Sequence, residues 1–230
     1  MQTVAERIRI VSNDIAEIAD KCARNPVEIE LMAVTKTRSR AEVDEAYRAG
    51  LRLFGENRVA EAIEKYRESP ADTRLHLVGH LQRNKAKLAA SAFDQIESID
   101  KIETVDAIKK HREEGAAPLE ILVEINTSGE SSKSGVTDLD ALKALIEELL
   151  KREYVKLRGL MTIGPFIKDE SRVRSAFAGL REALDVVRDV YGLIEARTLS
   201  MGMTSDYRSA IAEGSTRVRI GTAIFGERSE

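Results

Sequence analysis

The sequence predicts an α/β protein, a single (β/α)8 TIM barrel with an extra N-terminal helix. Three observations predict it. Short apolar runs alternate with amphipathic helical stretches, eight runs can be counted, and no Pro-rich or Ser-rich linker divides them. Strict alternation implies a parallel sheet, and eight repeats imply that the sheet closes. The 230 residues match the usual size of a bare barrel. An open doubly wound sheet would want a Gly-rich turn after its first strand, and AVTKTRSRAE has no glycine. One domain, 1–230, is therefore expected.

Each element has its own signal. Val4, Ile8, Val11, Ile15 and Ile18 share one face of a helix spanning residues 3–24. LMAVTK (31–36) is the first strand run, and Ser39 with Glu42 then has capping-box spacing. That helix closes at Ala49-Gly50, before RLFGEN (52–57). LHLVGH (75–80) leads into a Lys-, Arg- and Ala-rich helix. FDQIESID (93–100) precedes a helix bearing Ile102, Val105 and Ile108, with Asp100 and Glu103 placed to cap it. LEILVEIN (119–126) reads as a buried strand, followed by Leu139, Leu142, Leu145 and Leu149 at helical spacing. LRGLMTIG (157–164) precedes a long helix with Val173, Phe177, Leu180, Leu184 and Val187, stopped by Gly192. ARTLSMGM (196–203) and RVRIGTAIFG (217–226) complete the set; the second is read as a strand, Gly-Thr and a small apolar turn.

Composition narrows the function classes. A net charge of −3, 4% aromatic residues and no Trp give no surface for nucleic acid. No run of 18 apolar residues or signal-peptide pattern occurs, so a soluble cytoplasmic protein without membrane contact is expected. The single cysteine, Cys22, rules out an internal disulfide and fits a reducing compartment as a buried or half-buried hydrophobe.

Active sites of such barrels form where the strands end at the C-terminal face. Lys36 closes an apolar strand there, where partial desolvation makes an amine more nucleophilic. Taken alone it reads as a surface lysine. The last two units change that reading. SMGMTSDYRSAIAEG and RVRIGTAIFG each place glycine and hydroxyl residues directly after a strand, where barrels commonly bind phosphate. A lysine and a phosphate cup facing one cavity suit a phosphorylated aldehyde.

At these residues the chain resembles the YggS/PROSC family of pyridoxal phosphate homeostasis proteins, related in barrel to fold-type III enzymes such as alanine racemase. The matching blocks are AVTK (33–36), FGENRVAE (54–61), HLVGHLQRNK (76–85), LVEINTSGESSKSG (122–135), GLMTIGP (159–165) and LSMGMTSDYRSAIAEGSTRVRIGTAIFG (199–226), in family order. The resemblance implies pyridoxal 5′-phosphate (PLP) held by Lys36 as an internal aldimine. It implies Asn57 beside the ring, Val78 and Met161 near its faces or edge, and Arg219 at the pyridine nitrogen. Ser200, Thr204, Gly221 and Thr222 would hold the phosphate. Two departures are Leu75, where members often have Trp, and Thr204, where they often have Ser. An arginine at the pyridine nitrogen keeps it unprotonated and weakens carbanion chemistry.

Other signals are set aside. GESSKSG (129–135) lacks the glycine that precedes lysine in a P-loop and reads as a flexible loop. His76, His80 and His111 have no metal-ligand spacing, so no metal is expected; His76 reads as structural, His80 as edging the cavity and His111 as part of a helix face. Arg83, Lys85 and Lys87 read as a solvated face. A two-base racemase needs an opposing tyrosine from an added domain, and only Gly226–Glu230 follow the last strand run. Tyr207, near the cavity segments, reads as packing. The expectation is a monomeric carrier of PLP without catalytic residues, acting in PLP homeostasis and delivering to apo PLP-dependent enzymes. The alternatives are a PLP-dependent amino-acid racemase or lyase and a barrel binding another phosphorylated metabolite.

Overall fold

The computed structural model describes residues 2–111, 115–130 and 133–227. Eight parallel strands close in sequence order into a barrel: β1 (Glu30–Val34), β2 (Leu53–Glu56), β3 (Arg74–Leu77), β4 (Gln95–Ile99), β5 (Leu119–Glu124), β6 (Val155–Met161), β7 (Thr198–Ser200) and β8 (Arg217–Ile220). The seam pairs Glu30 with Arg217 and Ala33 with Ile220. Around them run α1 (Val4–Lys21), α2 (Arg40–Arg48), α3 (Val59–Tyr66), α4 (Ala86–Ala92), α5 (Ile102–Lys109), α6 (Leu139–Leu150), α7 (Glu170–Tyr191), α8 (Tyr207–Ala212) and α9 (Thr222–Phe225). Among the described residues no helix is long and apolar enough to cross a membrane.

The period of two along each strand sorts the residues into two environments. Ala33, Phe54, Leu77, Ile96 and Val123 face outward and join the helices in one continuous core. Met32, Leu53 and Val78 form a separate cluster on the inner side. At Gly55 a Cβ would fall 2.5 Å from Met32 Sδ, so glycine makes room for the inner methionine.

The helix ends follow local chemistry. Ser39 and Glu42 form the expected capping box on α2, and Gly192 ends α7 in the left-handed conformation at φ 65. The expected Asp100/Glu103 cap does not form: α5 starts after Lys101 without a side-chain cap. Asp100 instead turns inward, its side chain 8% exposed and 3.9 Å from His80 Nδ1. His111 lies beyond the end of α5 rather than on its face. The residues expected to form a turn after β8 form α9. Within GESSKSG, Ser131 and Ser132 lie outside the described residues.

α1 adds a brace outside the eightfold repeat. It packs on α2, α8 and α9. Its Asp14 accepts a hydrogen bond from the Tyr207 hydroxyl and pairs with Arg208 at 2.5 Å. Just past the helix, Arg24 donates to the Ile211 carbonyl at 2.8 Å.

Candidate functional site

Lys36 is held by its neighbours' backbone. Pairing with β2 continues past Val34, since the Thr35 amide donates to the Gly55 carbonyl (3.0 Å). Lys36 thus keeps the parity of Glu30 and Met32, which face the barrel interior. Lys65 Nζ donates to the Thr35 carbonyl (2.6 Å), and Glu61 accepts from the Thr37 amide (2.6 Å). Lys65 also bonds Glu56 and Glu61, so α3 grips the chain on both sides of Lys36. Thr37 lies at φ 62, uncommon for a β-branched residue and maintained only where surroundings dictate it. Lys36, Thr37, Asn57, Arg58 and Glu61 line a cleft of about 240 Å³. At Gly79 a Cβ would sit 2.3 Å from the Asn57 carbonyl oxygen; close approach there fixes the Asn57 backbone.

The loops after β7 and β8 meet beside this strand. Thr204 Oγ1 accepts from the Ala223 amide (3.3 Å), tying one loop to the other. A Cβ on Gly221 would lie 3.3 Å from the Val34 carbonyl, which places this glycine against the strand that carries Lys36. Gly202, at φ 97, lets the chain pass close to Tyr207 and Ala210. Among the described residues, none accepts a hydrogen bond from the backbone amides of Thr204, Ser205 or Thr222. With the two hydroxyls they form a donor-rich rim suited to an anion.

Beneath the mouth lies Arg219, 5% exposed. Its Nη1 donates to the carbonyl (2.6 Å) and hydroxyl (2.8 Å) of Ser200, and its Nη2 to the Thr162 carbonyl (2.7 Å). All three acceptors are neutral. Deeper, Arg217 is held by carboxylates: Glu30 at 2.5 Å and Glu97 at 2.7 Å. Glu97 also bonds His76 Nδ1 (2.9 Å), so His76 is structural as expected. Burial works against the Glu97 charge, but Arg217, the His76 bond and Arg219 hold its pKa down at about 2. Burial pushes the Arg219 guanidinium below its ordinary value, opposed by Glu97, Asp206 and Glu124.

Glu124 ends β5 and is 4% exposed. The pairing of Ile99 with Val123 sets Asp100 beside it. Burial and the Asp100 charge push the Glu124 carboxyl up to about 7, with Arg219 opposing.

The structure therefore gathers Lys36 with Asn57, and Thr204 with Gly221 and Thr222, around adjoining strand ends. Val78 and Met161 are buried, Val78 on the inner wall with Met32. The Ser200 hydroxyl, expected at a phosphate, is buried and donates to Glu97 Oε2 (2.5 Å) while accepting from Arg219. Sequence reasoning missed Glu97, Arg217 and Glu124 and read Asp100 as a helix cap; polar residues two apart inside strand runs were the available signal. Among the described residues no three metal-ligating side chains gather at one place. A larger cavity of about 690 Å³ lies outside the barrel mouth, between the loop after β5 and helices α6 and α7.

Comparison with known proteins adds the following. The family model described as "Alanine racemase, N-terminal domain" matches residues 11–229. A pyridoxal phosphate homeostasis protein of Pseudomonas aeruginosa is 41% identical over 230 residues, covering 99% of this chain and 97% of its own. Its namesake in Escherichia coli K12 is 39% identical over 241 residues, with 99% and 98% covered. Among solved structures, PipY of Synechococcus elongatus with PLP bound superposes with a TM-score of 0.80 at 35% identity, covering 92% of this chain and all of that one. Alanine racemase from Bacillus anthracis shares the fold at 18% identity, TM-score 0.70, covering 96% of this chain and 56% of that one.

Proposed function

The chain belongs to the pyridoxal phosphate homeostasis proteins, built on the alanine racemase N-terminal fold, and from that premise we propose that it binds PLP and acts as its carrier. One observation carries the reading: the gripped Lys36 and the donor-rich rim of Thr204, Gly221 and Thr222 lie on adjoining strand ends. The residues fit the cofactor. Unclaimed amides at Thr204, Ser205 and Thr222 suit a phosphate, and a half-buried amine suits an aldehyde. In this reading Lys36 is the covalent anchor, Asn57 lies beside the ring, and Val78 and Met161 supply apolar contact. Arg219 faces the pyridine nitrogen. Thr204, Gly221 and Thr222 take the phosphate, while the Ser200 hydroxyl accepts from Arg219. Bound there, PLP supplies a reactive aldehyde and an electron-delocalising ring.

The carrier role rests on what surrounds the anchor. Arg219 cannot give up its proton, so it donates to the ring nitrogen without protonating it, which weakens the ring as an electron sink. The Tyr207 hydroxyl is directed to Asp14 on α1, away from the role of an opposing acid. The chain is proposed as a single-domain monomer of the cytoplasm that hands PLP to apo-enzymes.

The test is borohydride reduction of PLP-loaded protein followed by peptide mass spectrometry. The adduct is expected on Lys36 and absent from Lys36→Ala; an adduct elsewhere, or none, overturns the reading. Incubation with L-amino acids is expected to give no turnover, and Lys36-dependent racemisation would replace carrier by enzyme.

A further inference from the structure

Among the described residues Arg219 is a buried cation without a direct carboxylate partner, which is costly unless charge is supplied from nearby. One link to a carboxylate runs through a single hydroxyl. Ser200 Oγ lies 2.5 Å from Glu97 Oε2 and 2.8 Å from Arg219 Nη1. An ionised carboxylate only accepts, and a guanidinium only donates. The single hydroxyl proton must therefore point to Glu97, leaving lone pairs toward Arg219. We propose that Glu97 and Ser200 form a relay of positioning residues that orients Arg219 and supports its charge while leaving part of its donor fork for the cofactor's ring nitrogen.

A direct ion pair would do this badly. Arg217, two residues earlier on the same strand, shows the alternative, with Glu30 and Glu97 taking its donors. Interposing a hydroxyl keeps the negative charge close without saturating the fork, and Arg217 and His76 fix Glu97 from its other oxygen. The charged groups bearing on Arg219 are Glu97, Asp206, Glu124 and Arg217, on or after four different strands. The relay rests on the PLP reading above, since it assigns Arg219 to a ring nitrogen.

The experiment uses full-length protein loaded with PLP and reads the visible absorbance of the Lys36-bound cofactor across pH. Arg219→Gln sets the reference displacement. Ser200→Ala alters no charge, so its effect on the titration reports Arg219 orientation. Its midpoint is expected to move in the same direction as Arg219→Gln, by about half a pH unit or more. Ser200→Thr, which keeps the hydroxyl, is expected to restore most of it. In a Glu97→Gln background the Ser200→Ala displacement is expected to shrink, because coupled groups are not additive. Ser200→Ala leaves Glu97 its bonds to Arg217 and His76, and thermal melting of cofactor-free protein checks that it folds. A folded Ser200→Ala protein with the wild-type midpoint overturns the relay alone. A wild-type protein without visible absorbance overturns the PLP reading and the relay with it.

Discussion

Arg217 and Arg219 stand two residues apart on β8, equally buried, and live in opposite electrostatic worlds. Arg217, at the barrel floor, is enclosed by Glu30, Glu97 and Gln95. Arg219, nearer the mouth, donates among the described residues to two carbonyls and a hydroxyl. Accordingly, carboxylates overcome burial to raise the affinity of Arg217 for its proton, whereas burial prevails at Arg219 and lowers it. The floor has its charges matched; the mouth carries polar groups whose partners are incomplete. Incomplete pairing inside a fold costs stability and is retained where a ligand completes it.

The largest expected effect sharpens this contrast at the floor. Arg217→Met leaves the buried Glu97 without its direct cation and Glu30 with Arg74 alone, and urea denaturation of cofactor-free protein should show a loss of about 3–5 kcal/mol. A loss below about 1 kcal/mol would mean that charge pairing does not hold the floor. Arg219→Met removes a cation from neutral acceptors. It should cost at most about 1.5 kcal/mol in the same assay, yet weaken PLP retention roughly tenfold, equal to ~1.4 kcal/mol. Equal stability losses for the two arginines would erase the distinction.

A third measurement addresses the mouth through pH. Glu124 has a folded pKa of about 7 against an ordinary 4.5, so the folded state holds the proton more tightly. Its contribution is present below pH 4.5 and is lost as pH rises through about 7. Glu124→Gln should therefore melt higher than wild type at pH 8 and match it near pH 4.5; a gain confined to acid would reverse the sign. Glu97 runs the other way, stabilising above pH 4.5 and losing that contribution toward pH 2. The smallest effect is at Tyr207→Phe, where loss of the Asp14 bond should cost about 1 kcal/mol, read by thermal melting. No change would show that α1 braces α8 through packing alone.

The barrel was legible because its signals are local and repeated. The apolar runs, the Ser39–Glu42 box and the Gly192 stop each depend on neighbours a few residues away. The alternation put Lys36 and the glycine-hydroxyl loops at strand ends, while their assignment to a cofactor came from the resemblance. The interior network was not. In FDQIESID, Gln95 and Glu97 alternate with apolar residues just as a water-facing strand would, and only barrel closure turns that face inward. Ser200 shows the same limit: its partner Glu97 lies 103 residues earlier. Asp100 read as a helix cap because it stands near the start of α5, yet its side chain turns into the mouth beside Glu124.

The bond between Asp14 and Tyr207 joins positions 193 residues apart. A polypeptide emerging from the ribosome presents α1 long before α8 exists to be clasped by it. Closing so wide a loop is slow, because its entropy is lost before its contacts form. The clasp between α1 and α8 is thus among the last contacts the chain can make, formed only once residues through α8 have been synthesised.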